Sequence, residues 1–181
     1  MKVIETKYSG HLFRSRLEAR WAVFFDYLNV KWEYEKEGFE FNNKIRYLPD
    51  FFLPELDCWL EVKGVYPTEL EKNKAGLLAV ATNKRVYIAY GQIEPPGDIW
   101  ESDSIIAIDS SGACGIWSDY QYYFCECSNC GAIGIQFNGR SDRLPCKKNG
   151  CPKSPHGDKG YNFESPRLMQ AYQSAMSARF E

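Results

Sequence analysis

Histidine is scarce in this chain. There are two in 181 residues, His11 and His156. That argues against a catalytic zinc centre with an open Cys/His site, which would lose activity on Cys146→Ala while keeping its fold. No apolar run reaches membrane-spanning length, and the start, Met1-Lys2-Val3-Ile4-Glu5, lacks the apolar stretch of a signal peptide. A soluble, intracellular, cytoplasmic protein without a membrane partner is expected. Neither sign of charge dominates: 22 Lys and Arg stand against 24 Asp and Glu, for a net charge of −2. With no global basic field, nucleic-acid binding has to rest on local patches and on a bound metal.

The chain can bury a real core, being 44% hydrophobic and 15% aromatic. Its length suits one domain, or one domain with a small added module. The seven cysteines are unevenly spread, with five between positions 125 and 151. That clustering suggests a metal site rather than a secreted disulfide framework. Cys58 and Cys114 stand alone and read as packing residues.

Lys2 to Thr6 suits a short strand, and Tyr8-Ser9-Gly10-His11 a turn that holds His11 at the surface. Ser15 to Leu28 reads as a helix. Ser15 is a good N-cap with Glu18 three residues later, Leu17, Trp21, Phe24, Phe25 and Leu28 form one apolar stripe, and Asn29 ends it. Glu18 has two readings: a capping side chain that reaches back to the Ser15 amide, or an acid pointing over the sheet. Arg14, Arg16 and Arg20 surround the helix start. They are candidates for gripping a nucleic-acid backbone, or else form a solvated charged face.

Val30 to Glu37 alternates as a strand, which Phe39 to Phe41 extends beyond Gly38. Ile45 to Leu53 follows as a second strand after Asn42-Asn43. Pro67 to Thr82 is expected to be a helix with Leu70, Leu77, Leu78 and Ala81 inward and Glu69, Glu71, Lys72 and Lys74 outward. Lys72 or Lys74 then comes near substrate phosphates or simply solvates the helix. Arg85 to Tyr90, after this crossover, should join the sheet as a non-hairpin neighbour. Ser104 to Asp109 and Gly115 to Phe124 read as further strands around a Ser110-Ser111-Gly112 turn. Tyr120, Tyr122, Tyr123 and Phe124 suit packing, or stacking on bases.

The most informative stretch is Tyr47-Leu48-Pro49-Asp50-Phe51-Phe52-Leu53-Pro54, answered by Trp59-Leu60-Glu61-Val62-Lys63-Gly64. A four-residue loop, Pro54 to Asp57, would pair Leu53 with Cys58 and set Asp50 opposite Glu61. Glu61 and Lys63 then share a face. Two adjacent carboxylates resist joint ionisation, and a divalent cation removes that penalty. Few hard oxygen ligands, with positions left for water and phosphate, describe a Mg²⁺ (or Mn²⁺) site. The alternative is a solvated cross-strand charge cluster.

Pro49-Asp50, a ten-residue gap and Glu61-Val62-Lys63 resemble the signature of the PD-(D/E)XK nuclease superfamily. The resemblance covers roughly the first half of the chain. It implies an α/β, restriction-endonuclease-like core: helix, three-strand meander, helix, strand, in a mixed sheet flanked by helices. It further implies a catalytic set of Glu18, Asp50, Glu61 and Lys63. Asp50, Glu61 and the Val62 carbonyl would hold magnesium, Lys63 would orient the attacking water, and DNA is the expected substrate.

Cys127-Ser128-Asn129-Cys130-Gly131 and Cys146 with Cys151 form two cysteine pairs, the second wider than usual. Four thiolates so arranged describe a structural Zn²⁺ site around a hairpin with strand-like Ile133 to Phe137 and an Asn138-Gly139 turn, which resembles a zinc ribbon. Cys125 or His156 remains an alternative ligand. Arg140, Arg143, Lys147 and Lys148 make this segment locally basic. Ser165-Pro166 opens a last helix with Met169, Tyr172, Gln173 and Met176 on one side. The expected division is a nuclease core with sheet extension over 1–120, then a zinc-ribbon module and C-terminal helix over 121–181. The function expected is metal-dependent DNA cleavage, suited to repair, recombination or phage and mobile-element DNA processing. The rival is a non-catalytic nucleic-acid-binding or protein-docking module that works through the ribbon.

Overall fold

The computed structural model describes residues 4–41, 44–96, 105–113, 122–137 and 161–180. In chain order its elements are β1 (Thr6–Tyr8), β2 (His11–Phe13), α1 (Arg16–Leu28), β3 (Glu33–Tyr34), β4 (Phe39–Phe41), β5 (Ile45–Tyr47), β6 (Phe51–Leu53) and β7 (Cys58–Lys63). There follow α2 (Glu69–Thr82), β8 (Arg85–Tyr90), β9 (Ile105–Ile108), β10 (Tyr122–Cys127), β11 (Ile133–Phe137), β12 (Tyr161–Asn162) and α3 (Pro166–Ser177). The class is α/β. A mixed sheet runs β11-β10-β9-β8-β7-β6-β3, with β12 also on β10. The β7–β8 pair is parallel, joined by the α2 crossover, and the other pairs are antiparallel.

Alternation along β7 sorts its side chains between two cores. Cys58, Leu60 and Val62 join α1 and α3 on one face, while Trp59 joins Ala75, Leu78 and Ala79 of α2 on the other. The α1 stripe supplies most of the first core. Phe24 and Phe25 are wholly buried and meet Phe124 of β10 at ring-centroid distances of 5.1 and 5.8 Å. Phe24 also lies 4.6 Å from Tyr172 of α3. Burying such a ring contributes about 1.5–3 kcal/mol. Asn29 ends α1 in the left-handed conformation, with φ at 55°.

Several expectations change. Only Glu33–Tyr34 of the stretch 30–37 forms a strand, because Glu35, at φ 44°, turns the chain. Phe39–Phe41 does not prolong it; β4 pairs with β5 in a separate two-stranded sheet. The strand expected over 45–53 is broken into β5 and β6 at Leu48-Pro49-Asp50, where proline offers no N–H to a ladder. The meander is therefore β3, β6, β7 with the β4–β5 hairpin inserted. The Ser9-Gly10 turn joins β1 to β2, so His11 begins a strand rather than ending the turn.

Helix α2 buries Ala75, Gly76, Leu78 and Ala79, leaving Leu70 and Leu77 61% and 39% exposed and Ala81 exposed. The small face turns inward because backbones approach closely there: a Cβ added at Gly76 would stand 3.1 Å from the Gly112 carbonyl oxygen. Thr68, not Pro67, opens this helix. On α3 the buried face is Leu168, Ala171, Tyr172 and Ala175, with Gln173 and Met176 outside.

β10 and β11 continue the same sheet, and α3 packs on α1. Arg167 ties these parts together through Glu126, the Gly131 carbonyl and the Leu28 carbonyl. Cys114, Tyr120, the Asn138-Gly139 turn and the basic run from Arg140 to Lys148 lie outside the described residues.

Candidate active site

The β6–β7 hairpin has the register counted from its loop: Leu53 pairs with Cys58 and Phe51 with Leu60. Asp50 follows as the next residue outward and meets Glu61. The Asp50 N–H donates to Glu61 Oε2 at 3.3 Å, and the Val62 N–H donates to Asp50 Oδ2 at 2.7 Å. Both carboxylates are buried, 3% and 4% exposed. Burial raises the Asp50 pKa well above the ordinary carboxylate value, and the charges of Glu61 and Glu18 raise it further.

Cations answer this negative charge. Lys63 Nζ sits 2.7 Å from Glu61 Oε1 and 3.6 Å from Glu71 Oε1. Burial lowers the Lys63 pKa, but Glu61, Asp50 and Glu71 outweigh it and hold the ammonium charged. Glu71 belongs to the capping box of α2, where its Oε2 accepts from the Thr68 N–H and hydroxyl, both at 2.8 Å. One carboxylate thus closes a helix end and faces the lysine. Arg14 Nη2 reaches Asp50 Oδ1 at 2.7 Å, while its Nε lies 2.7 Å from Glu35 Oε1. Burial lowers the Arg14 pKa, and Tyr34, Asp50 and Glu35 more than reverse this.

Glu18 is 7% exposed and fully engaged. Its Oε1 accepts from the Ser15 hydroxyl at 2.6 Å, and its Oε2 from the Tyr34 hydroxyl at 2.6 Å and the Arg14 N–H at 3.2 Å. The expected bond to the Ser15 amide is replaced by one to Arg14, because Tyr34 draws the carboxylate past the cap. Glu18 therefore fixes the backbone that carries Arg14. Its charge is felt at Asp50 from the α1 side of the sheet.

A cleft of about 250 Å³ opens beside Glu61 and Lys63, bounded by Glu71 and Lys74 of α2, by Arg14, and by Arg46, Tyr47 and Leu48 after β4. Arg16 is exposed and Arg20 half-buried, and neither lines the cleft. Tyr47 and Glu71 were not singled out as site residues from the sequence. The signal for Glu71 was Thr68-x-x-Glu71 closely following Lys63. The Tyr47 pKa is driven far up by burial and then by Glu61, Asp50 and Glu71, which keeps its hydroxyl protonated. A second cleft, of about 240 Å³, lies at the opposite end of β7 beside Cys58, Lys84 and Gln136, away from these carboxylates.

Among the described residues no group of three His, Cys, Asp or Glu side chains is gathered to hold a metal. Asp50 and Glu61 stand as a buried pair, and magnesium commonly uses one or two carboxylates together with waters and phosphate oxygens. The N–H and C=O of one strand residue point to the same edge. The Val62 carbonyl therefore opens on the edge where its N–H meets Asp50. This hard oxygen set fits Mg²⁺ or Mn²⁺, with Arg14 and Lys63 standing as the counter-charges.

At the far end of the sheet Cys127 closes β10, and Cys130 follows in the turn to β11. The Gly131 N–H donates to the Cys127 carbonyl at 2.9 Å and the Cys127 N–H to the Ala132 carbonyl at 2.8 Å, with Gly131 at φ 69°. This knuckle suits a pair of thiolates on one ion. Cys125 is wholly buried and its thiol donates to the Gly134 carbonyl at 3.6 Å. Burial raises its pKa, which disfavours the thiolate a ligand needs. Cys146, Cys151 and His156 lie outside the described residues.

No protein-family model, curated protein or solved structure matches this chain. Among the described residues no helix is long and apolar enough to cross a membrane.

Proposed function

We propose that this chain is a Mg²⁺-dependent nuclease with a PD-(D/E)XK-like core, hydrolysing phosphodiester bonds in DNA. The observation that carries the reading is the buried Asp50–Glu61 carboxylate pair with Lys63 at its side, opening on a cleft. Asp50, Glu61 and the Val62 carbonyl would hold the metal. Once bound, it supplies polarisation of a phosphoryl oxygen and a more acidic water. Lys63 orients the attacking water and offsets the charge that grows on the phosphoryl oxygens. Arg14, half-exposed and paired with Asp50 and Glu35, offsets the carboxylate charge at the edge of the cleft that the phosphate would enter. Glu18 acts as a positioning residue for Arg14, through the Arg14 amide.

Cys127 and Cys130, with Cys146 and Cys151, would hold a structural zinc that leaves no open position for chemistry. The protein then acts inside the cell in DNA repair, recombination, or phage or mobile-element DNA processing.

The test is cleavage of labelled duplex, single-strand, flap and four-way-junction DNA with Mg²⁺ or Mn²⁺, wild type against Lys63→Ala. Cutting that needs the metal and is lost in the variant supports the reading. No cutting of any DNA by folded, zinc-loaded protein refutes it. Binding that survives Glu61→Ala would then favour a non-catalytic docking module.

A further inference from the structure

Of the three candidate arginines around α1, Arg14 lines the cleft, while Arg16 and Arg20 do not. Its floor is acidic, with Glu61 and Glu71 lining it and Asp50 buried behind. A polyanion entering would be repelled unless the rim answers that charge. Arg14 and Lys63 are committed to the carboxylates, at 2.7 Å from Asp50 and from Glu61. Two further cations line the same cleft: Arg46 on β5 and Lys74 on α2.

Arg46 is held only loosely. It pairs with Glu40 across the hairpin at 3.1 Å, but both side chains are exposed, 84% and 57%. A pair so exposed contributes little, so a phosphate can replace Glu40 as its partner. The hairpin itself is anchored. Phe39, Phe41 and Tyr47 pack on the α2-side core, and Phe39 meets Trp59 edge-on at 5.5 Å. The wall carrying Arg46 is therefore a packed support with an exposed, weakly paired cationic tip. Lys74 rises from α2 one turn beyond Glu71, so the capping box that orders Glu71 also orders this wall.

We infer that Arg46 and Lys74 form the nucleic-acid grip of this cleft, each holding a backbone phosphate beside the one at Asp50, Glu61 and Lys63. This rests on the nuclease reading for the identity of the polyanion. The grip is to phosphates, so it carries no base specificity.

The experiment measures binding apart from cutting. Fluorescence anisotropy of a short fluorescein-labelled DNA duplex, and of its single strand, is followed against salt with Ca²⁺ in place of Mg²⁺. Arg46→Gln and Lys74→Gln are each expected to weaken binding several-fold and to flatten the slope of log K against log salt by about 0.9 for duplex or about 0.7 for single strand. Arg46→Glu should weaken it further. Arg179→Gln, an exposed position just after α3, should bind like wild type. Melting curves should coincide, because these side chains are not in the core. Wild-type affinity and slope in both glutamine variants would overturn the grip, even if the protein cuts DNA. Weakened binding in both, with no cutting in Mg²⁺ or Mn²⁺, would keep the grip and overturn the nuclease.

Discussion

Asp50→Asn should make the Mg²⁺-free protein more stable while abolishing its function. Asp50 is 3% exposed, its carboxylate faces Glu61, and its pKa is raised by burial and by that neighbour. An amide oxygen can still accept the Val62 N–H, but the NH2 then replaces the Oδ1 that faces Arg14 Nη2, so half-exposed Arg14 must turn to Glu35 and solvent, at a cost of about 1 kcal/mol. Relief of desolvation and repulsion should exceed this, leaving a net gain of about 1–2 kcal/mol at neutral pH. In a chain of this length that raises Tm by about 3–6 °C.

The sign with pH follows from linkage. The folded chain binds the Asp50 proton more tightly than the unfolded one. Its stability therefore declines as pH rises from the unfolded value of 3.8 toward the raised folded value. The Asp50→Asn variant should lack that decline. Mg²⁺ at ten times its Kd should return about 1.4 kcal/mol to wild type, and nothing to the variant. The assay is thermal melting of zinc-loaded protein at pH 5 and pH 7.5, without added divalent cation and in Mg²⁺. A variant that melts below wild type at pH 7.5 without Mg²⁺, or an equal Mg²⁺ shift in both proteins, would refute the reasoning.

Glu71→Gln retains an acceptor for the Thr68 N–H and should keep stability within about 0.5 kcal/mol of wild type, whereas Glu71→Ala should lose about 1 kcal/mol in urea melts. If Glu71 orders Lys63, Glu71→Gln should nonetheless lower the cleavage rate, and should add nothing in a Lys63→Ala background. Cys130→Ser should abolish stoichiometric zinc as measured by elemental analysis; unchanged zinc content would remove the Cys127–Cys130 knuckle from the ligand set. Phe24→Ala, at a fully buried ring touching Phe124 and Tyr172, should cost about 3–5 kcal/mol in equilibrium unfolding. Gly112→Ala should destabilise by about 1–3 kcal/mol, because φ is 84° there and a Cβ would meet Val80 Cγ2 at 3.0 Å.

The Asp50, Glu61 and Lys63 cluster was legible because strand alternation and a four-residue loop leave the hairpin one register. The α1 stripe was equally plain, since its large aromatic residues recur at helical spacing. The inward faces of α2 and α3 were legible only at Leu78 and Tyr172. Ala75, Gly76 and Ala79 carry little hydrophobic signal beside Leu70 and Leu77, and only the close approach to Gly112 selects them. Glu18 was found as a capping acid, but which amide it caps depends on Tyr34, supplied by a strand sixteen residues on. Arg46 and Tyr47 reached the cleft because β5 pairs with β4 and does not run on into β6, the strand breaking at Leu48-Pro49-Asp50. The Asn42-Asn43 turn was legible in the sequence, but that break was not.

The central claim is tested most directly by a time course of plasmid and linear duplex cleavage by the zinc-loaded protein, with Mg²⁺ or with EDTA, wild type beside Glu61→Gln. The account predicts strand cleavage in Mg²⁺ alone, stopped by EDTA and absent in a Glu61→Gln variant that melts no lower than wild type. Cleavage that persists in the variant, or in EDTA, would contradict it.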